Sequence, residues 1–289
     1  MTNSIRLVAV SSCVEEMELS AVGNTGREKF DSFEADTFSS LSTAVVSRLM
    51  SDTACCDNTC TGLVLGTVYG PLDASLRCVE CVESSDKCAS SCLQAFHSVA
   101  ATHLVRLFGI KGPSVTVTLR TWPFLEALRV AMVMLWSRRV KKMIVVGADV
   151  KSQVLNRVVG ELFACDKQQH DEECASVGGA VAWMLERVED GVNGQDIWLR
   201  IVDIKECNCD SSFYLLRSGE SWVTVFDNEY VAELSGRGSF SPVSYLLALN
   251  KSVETVMNET GAVRCMQWIV EAGFGSAFVE LTAGRSTTS

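Results

Sequence analysis

The sequence predicts an α/β fold, and one stretch near its middle carries most of that prediction. Val115 to Leu119 is rich in β-branched side chains and follows a Gly-Pro turn signal, as a buried strand does. Phe124 to Trp136 is apolar almost all the way round, which indicates a helix buried on most of its sides. Met143 to Asp149 supplies a second buried strand. Strand, helix and strand in that order predict a βαβ unit with parallel strands and a right-handed crossover.

Between the first strand and the helix, the chain must turn sharply near Thr121. Pro123 suits the first helical position, where its missing N–H would be unpaired anyway, and Thr121 is placed to cap the neighbouring donors. Enzymes place nucleophiles at such turns because a helix N-terminus stabilises an anion and lowers the pKa of a thiol. Here the turn carries Thr121, Trp122 and Pro123, and no cysteine.

Five further segments precede this unit. Apolar residues at helical or strand spacing predict a strand, an amphipathic helix, a short buried strand and a second helix that leads into the turn. The cysteine-rich stretch before the second helix has no clear period and indicates a loop. In chain order the segments are Ser4 to Val14, Ser39 to Met50, Gly62 to Thr67, the loop from Pro71 to Ala89, and the helix from Leu93 to Phe108.

The C-terminal part repeats the pattern in compressed form. Val177 to Arg187 and Ile197 to Cys207 alternate as antiparallel strands, with a turn sequence at 189–194 that predicts a hairpin. Later segments are predicted as a strand at Trp222 to Phe226, a helix at Pro242 to Met257, and strands at Arg264 to Val270 and Ala277 to Leu281. We therefore expect a single domain over residues 1–289, with duplicated halves at about 1–175 and 176–289.

Four stretches in the same order carry a family resemblance. They are Leu107 to Val117, Val145 to Asp149, the glycine-rich segment Ser176 to Glu186, and the Gly-Phe-Gly segment Gly273 to Leu281. Together they resemble the β-ketoacyl synthases, which are condensing enzymes of the thiolase fold. The resemblance implies a five-layered α/β fold, with two βαβ-type halves, mixed central sheets and buried helices, shortened in this chain.

The departures from that family concern its reactive groups. By the resemblance, Thr121 occupies the position of the active-site cysteine. The family is expected to carry two histidines in its C-terminal half, whereas this chain has His97, His103 and His170 and none after them. The chain therefore lacks both a thioester-forming nucleophile and its acid/base partners. It is similar to chain length factors, the non-catalytic subunits that pair with an active ketosynthase in type II polyketide or aryl polyene biosynthesis.

The resemblance also implies where a partner would bind. A dimer interface is expected at the strand residues Val115, Thr116, Val117, Thr118 and Leu119. Leu104 of the preceding helix is expected to join them. A gate on the partner's acyl tunnel is expected from Cys92, Leu93, Phe96 and Trp122. The expected partners are an active ketosynthase and, indirectly, an acyl carrier protein, with no cofactor and no metal.

Composition restricts the remaining function classes. The 289 residues are 47% hydrophobic and 21% charged, as in a globular protein with a sizeable core. A net charge of −10 argues against nucleic acid or an anionic membrane as the main partner. No apolar run is long enough to span a bilayer and no signal peptide is evident, so we expect a cytoplasmic protein.

Four basic residues follow the apolar helix: Arg138, Arg139, Lys141 and Lys142. They could be cations that stabilise the helix C-terminus, or they could form a local contact for a carrier protein.

Two alternative functions remain open, and one of them depends on the 13 cysteines. In a cytoplasmic chain they are expected to be free thiols. Seven of them cluster with a spacing that approximates a structural zinc site: Cys55, Cys56, Cys60, Cys78, Cys81, Cys88 and Cys92. A zinc-bearing scaffold is therefore one alternative function. An acyltransferase that uses a nucleophile other than cysteine, with Thr121 as the candidate, is another.

Overall fold

A computed structural model describes residues 4–14, 36–52, 60–84, 89–119, 123–152, 154–155, 178–188, 195–205, 216–218, 221–223, 246–247, 249–251, 253–254, 264–272 and 275–285. In chain order its elements are β1 (Ser4–Val14), α1 (Thr37–Asp52), β2 (Thr61–Thr67), α2 (Leu72–Glu83), α3 (Ala89–Gln94), α4 (Ser98–Leu107), β3 (Ser114–Thr118), α5 (Pro123–Trp136), β4 (Lys142–Asp149), β5 (Gly179–Val188), β6 (Gln195–Lys205), β7 (Leu216–Ser218), β8 (Ser221–Val223), β9 (Arg264–Ala272) and β10 (Gly275–Arg285).

A mixed sheet is the centre of the fold, with strand order β3-β2-β4-β5-β1-β6-β10-β9. Strand β2 runs parallel to both β3 and β4, so the predicted parallel βαβ unit is confirmed, with β2 inserted between its two strands. Every residue of β2 is buried, as is typical of a parallel strand covered on both faces. Strands β7 and β8 form a separate two-stranded sheet.

The predicted hairpin of β5 and β6 is wrong. Strand β5 pairs with β4 on one side and with β1 on the other, from Ser4 opposite Val188 to Val14 opposite Gly179. Both edges of β5 are therefore occupied, and β6 pairs with β1 and β10 instead. The alternating pattern predicted two strands correctly, but it carries no information about which strand lies beside which.

Alternate residues of the sheet contribute to two hydrophobic cores. Val64, Val145 and Trp183 face α5 and the helical residues of 246–254. Leu63 and Ile144, their neighbours in sequence, face α1 and α4 on the opposite side. This division follows from the two-residue period of a strand, which sends successive side chains to opposite faces. The sheet is thus covered by helices on both faces, which confirms the α/β class.

Helix α5 is buried on most sides, as its apolar sequence predicts. Eight of its residues are buried, including Phe124, Leu128 and Leu135. The remaining face is open: Val133 is 59% exposed and Trp136 is 44% exposed. A groove of about 390 Å³ runs along this face.

Two predictions between β2 and β3 are corrected. The cysteine-rich stretch contains helix α2, which begins directly after Pro71. The helix predicted from Leu93 to Phe108 is divided into α3 and α4. In a continuous helix the Val99 N–H would donate to the Ala95 carbonyl, but here it donates to Phe96 at 3.0 Å. The Ala95 carbonyl accepts a hydrogen bond from the Ser75 hydroxyl at 3.1 Å instead, which holds α2 against the break.

Candidate functional site

The candidate site lies where β2, β3 and β4 end and α5 begins. Two glycines allow α5 to start close against the sheet. A Cβ on Gly66 of β2 would lie 2.5 Å from the Pro123 carbonyl oxygen, and one on Gly147 of β4 would lie 2.7 Å from the Phe124 ring. Ligands of open α/β sheets commonly bind at the carboxyl ends of parallel strands, and this edge has that geometry. Thr121 and Trp122 lie outside the described residues, so their roles stay predictions.

Asp149 organises the same edge from the end of β4. Its carboxylate accepts hydrogen bonds from the Thr67 hydroxyl at 2.7 Å and from the backbone N–H of Tyr69 at 2.8 Å. The backbone N–H groups of Val68 and Gly70 also donate to it. Burial raises the pKa of Asp149, while these four donors act to lower it. Because both carboxylate oxygens accept hydrogen bonds from the turn at 67–70, Asp149 is a structural residue.

His97 is the histidine that the structure places against this turn. Gly70 adopts a left-handed backbone with φ of +57°, and a Cβ there would overlap the His97 ring. The glycine is therefore required both by its conformation and by the packed imidazole. His103 lies on α4, and its pKa is lowered by burial and by the nearby Arg106 charge. His170 lies outside the described residues.

A polar chain connects the start of α5 to the second half of the sequence. The Phe124 ring meets Trp183 edge to face, with centroids 5.1 Å apart. The Trp183 indole N–H donates to the Asn250 side-chain oxygen at 2.9 Å, and the Asn250 amide donates to Glu254 at 2.6 Å. Asn250 is fully buried, so its polar atoms require these partners. This residue was not predicted from the sequence; its only signal was an asparagine directly after the apolar run from Tyr245 to Leu249.

The residues predicted for a dimer interface divide into two groups. Strand β3 is an edge strand of the eight-stranded sheet, and its outer edge has no strand beside it within the described chain. Thr118 is exposed, Leu119 is 41% exposed, and Val115 to Val117 are partly exposed. Leu104, by contrast, is fully buried between α4 and the sheet. Its assignment to the interface is therefore corrected, because the core of its own chain already covers it.

The residues predicted for the acyl-tunnel gate also fall into two groups, those that are exposed and one that is not available to a partner. Leu93 is 57% exposed and Phe96 is 60% exposed, so both large apolar side chains are available to a partner. Cys92 is joined to Cys78 in a disulfide, which corrects two expectations. This pair is not reduced, and the Cys92 sulfur is directed into α2 instead of toward a partner. We therefore remove Cys92 from the gate.

The described cysteines give no support to the zinc alternative. Among the described members of the cluster, Cys60 and Cys81 are outside any disulfide, whereas the sulfurs of Cys78 and Cys92 are joined to each other. No group of three metal-binding side chains occurs among the residues that the structure describes. Cys55, Cys56 and Cys88 lie outside those residues.

The basic cluster after α5 is partly engaged in the fold. The Lys142 ammonium lies 3.8 Å from the Glu186 carboxylate, which also pairs with Arg6 at 2.5 Å. Arg138 adopts a left-handed backbone with φ of +56° at the turn that ends the helix. Lys142 therefore belongs to the contact between β4 and β5, and only the remaining three cations are left for a surface role.

Comparison with solved structures decides the fold. The ishigamide ketosynthase/chain length factor matches with a TM-score of 0.61 at 13% identity, over 97% of this chain and 99% of that one. The oxazolomycin ketosynthase domain of Streptomyces albus matches with a TM-score of 0.62 at 12% identity, over 99% of this chain and 75% of that one. This chain has a thiolase-like ketosynthase fold. No family model and no curated protein matches the sequence.

A third match is a ketosynthase of Xenorhabdus doucetiae in complex with its chain length factor, with a TM-score of 0.53 at 10% identity, over 98% of this chain and 99% of that one. Identities this low establish the fold alone. Within the described residues, no helix combines the length and the apolar character needed to cross a membrane.

Proposed function

We propose that this chain is a non-catalytic, ketosynthase-like chain length factor that forms a heterodimer with an active β-ketoacyl synthase. The observation that carries the proposal is a ketosynthase-type strand, turn and buried helix whose turn holds Thr121 and no cysteine. The absence of any histidine after position 170 removes the acid/base groups as well. A scaffold that has kept its fold without its reactive groups is suited to binding and shaping a partner.

The free edge of β3 supports a partner at this position. An edge strand presents unpaired N–H and C=O groups, and a strand of a second chain can continue the sheet along them. Val115, Thr116, Val117, Thr118 and Leu119 would then form the contact. Among the described residues, the buried Thr116 hydroxyl has no hydrogen-bond partner, so a polar group of this strand is unsatisfied by that part of the chain.

The exposed Leu93 and Phe96 support a role in chain length. Side chains this large and apolar are costly to leave in water unless another surface covers them. Within a heterodimer, Leu93, Phe96 and Trp122 would close one end of the partner's acyl tunnel. We place the complex in type II polyketide or aryl polyene chain elongation, in the cytoplasm, with the acyl carrier protein docking chiefly on the active subunit.

Co-expression with a candidate active ketosynthase tests the heterodimer. We expect the two chains to co-purify, and we expect Leu119→Lys to lower the recovered partner at least about tenfold by placing a charge in the contact. Val133→Lys is the matched control, because it puts the same charge on an exposed valine outside the predicted interface. Equal recovery with both variants would remove β3 from the interface.

Two product measurements complete the test. Phe96→Ala in a complex that still assembles should lengthen the product, and an unchanged product distribution would remove Phe96 from the gate. Incubation of the purified chain with an acyl-thioester, followed by mass spectrometry, tests the acyltransferase alternative. A stable acyl adduct on this chain would overturn the non-catalytic assignment.

A further inference from the structure

Two hydrogen bonds and one buried residue hold the base of the hairpin formed by α2 and α3. Asp73 accepts a hydrogen bond from the Ser152 hydroxyl at 2.6 Å, and Ser75 donates to the Ala95 carbonyl at 3.1 Å. Ala74 is the one residue of α2 that is buried. Beyond this base, Val79 is 54% exposed and Val82 is 61% exposed.

The Cys78–Cys92 disulfide joins the two helices beyond that base. Its Cα atoms are 4.8 Å apart and it closes a separation of 14 residues. Because so little apolar surface of α2 is buried, hydrophobic packing contributes little to the order of the hairpin. A cross-link that closes a loop reduces the number of conformations available to the chain. The Cys78–Cys92 disulfide therefore contributes much of the order of the hairpin.

We propose that this disulfide is a reducible clasp that fixes the hairpin and, through it, the positions of Leu93 and Phe96. A thiol reductant such as glutathione would open it in two exchanges. The thiolate of the first reductant molecule attacks one sulfur of the pair, forms a mixed disulfide and releases the other sulfur as a thiolate. A second reductant thiolate resolves the mixed disulfide. Cys78 and Cys92 each gain a proton, and the reductant leaves oxidised as its own disulfide.

The surroundings of the pair fit exchange. Cys78 and Cys92 lie on the partly exposed hairpin, whereas Cys13 is buried and out of reach of a reductant. Cys81 is a free, partly exposed thiol three residues after Cys78, on the same face of α2. It can re-pair with Cys92 by exchange, with its proton passing to the Cys78 sulfur that is released.

Hydrogen exchange of the full chain, with and without dithiothreitol, tests the clasp. We expect reduction to raise amide exchange at residues 76–96 about tenfold or more, and to leave β2, β4 and α5 unchanged. The Cys92→Ser variant should show rapid amide exchange in both conditions, because it removes the sulfur with which either Cys78 or Cys81 would pair. Cys81→Ser is the matched control and should keep the response of the wild type to reductant.

Three results would overturn the proposal. One is alkylation of both Cys78 and Cys92 before any reductant is added. Another is equal exchange at 76–96 in the oxidised and reduced protein. A third is protection of these cysteines that is removed by a chelator, which would indicate a metal site.

The effect of the clasp on a partner rests on the function proposed above. Reduction should weaken binding of the active ketosynthase or change its product length. Hydrogen exchange of the chain by itself requires no partner, so failure of the heterodimer leaves the test of the clasp intact.

Discussion

Helix α5 and the α2–α3 hairpin both follow parallel strands of the mixed sheet, but they differ in how far their apolar residues are buried. α5 buries eight residues between the sheet and the helical residues of 246–254. In the hairpin, Val79, Val82 and Leu93 are exposed, and Phe96 lies exposed just beyond it. The core of this chain accounts for the apolar sequence of α5. It does not account for the hairpin, whose apolar surface is available to another molecule.

Truncation of one phenylalanine in each region should give the largest contrast. Phe124→Ala removes a fully buried ring that packs on Trp183 and should lower the free energy of unfolding by about 3–5 kcal/mol. Phe96→Ala should change it by no more than about 0.5 kcal/mol, because that ring is 60% exposed. Urea unfolding of both variants measures the difference. Equal losses in the free energy of unfolding would show that Phe96 is packed as tightly as Phe124, which would contradict the contrast between the two regions.

Two glycine substitutions examine how closely α5 approaches the sheet. Gly66→Ala places a methyl group against the Pro123 backbone, which cannot yield as a flexible side chain can, and should cost about 2–3 kcal/mol. Gly109→Ala is the control. Its φ is +64° with no atom within 4 Å, so only the backbone conformation is penalised, by about 1 kcal/mol. Thermal unfolding compares the two, and a Gly66→Ala protein that matches Gly109→Ala would mean that the approach of α5 is not tight.

The stability of the protein should also depend on pH in a defined direction through Asp149. Burial raises the pKa of this carboxyl group above the usual value of 3.8. A raised pKa means that the folded state binds protons more tightly than the unfolded state. The stability of the wild type relative to Asp149→Asn should therefore be greatest below pH 3.8 and fall as pH rises through the raised pKa, by at most about 1.4 kcal/mol per pH unit. Denaturant unfolding across that range is the measurement. A relative stability that rises with pH would mean that the four hydrogen bonds outweigh burial.

Local patterns predicted the parts of the fold in which one surface is buried. The apolar coat of α5 and the β-branched runs of β3 and β4 each indicate their element because a period of 3.6 or 2 residues must match a buried face. Helix α2 was missed although Pro71 stood directly ahead of it. Leu72, Leu76 and Val79 lie at helical spacing in α2, but the cysteines between them were interpreted as part of a loop or a metal site.

Two features of the candidate site lay beyond local pattern. The hydrogen bonds of Asp149 connect residues about 80 positions apart, with a sequence separation of 82 to Thr67. The Cys78–Cys92 pairing could not be selected from among 13 cysteines by spacing. Both depend on which segments, distant in sequence, the tertiary structure brings into contact.

The sequence by itself determined the elements with a clear buried face, such as α5, β3 and β4, and that the turn before α5 carries no cysteine. Only the tertiary structure decided that β2 lies between β3 and β4, that Leu104 is covered by its own chain, and that Leu93 and Phe96 are not. The reason is physical: hydrophobic burial is non-directional, so an apolar residue has the same local signature whether its cover comes from its own chain or from a partner.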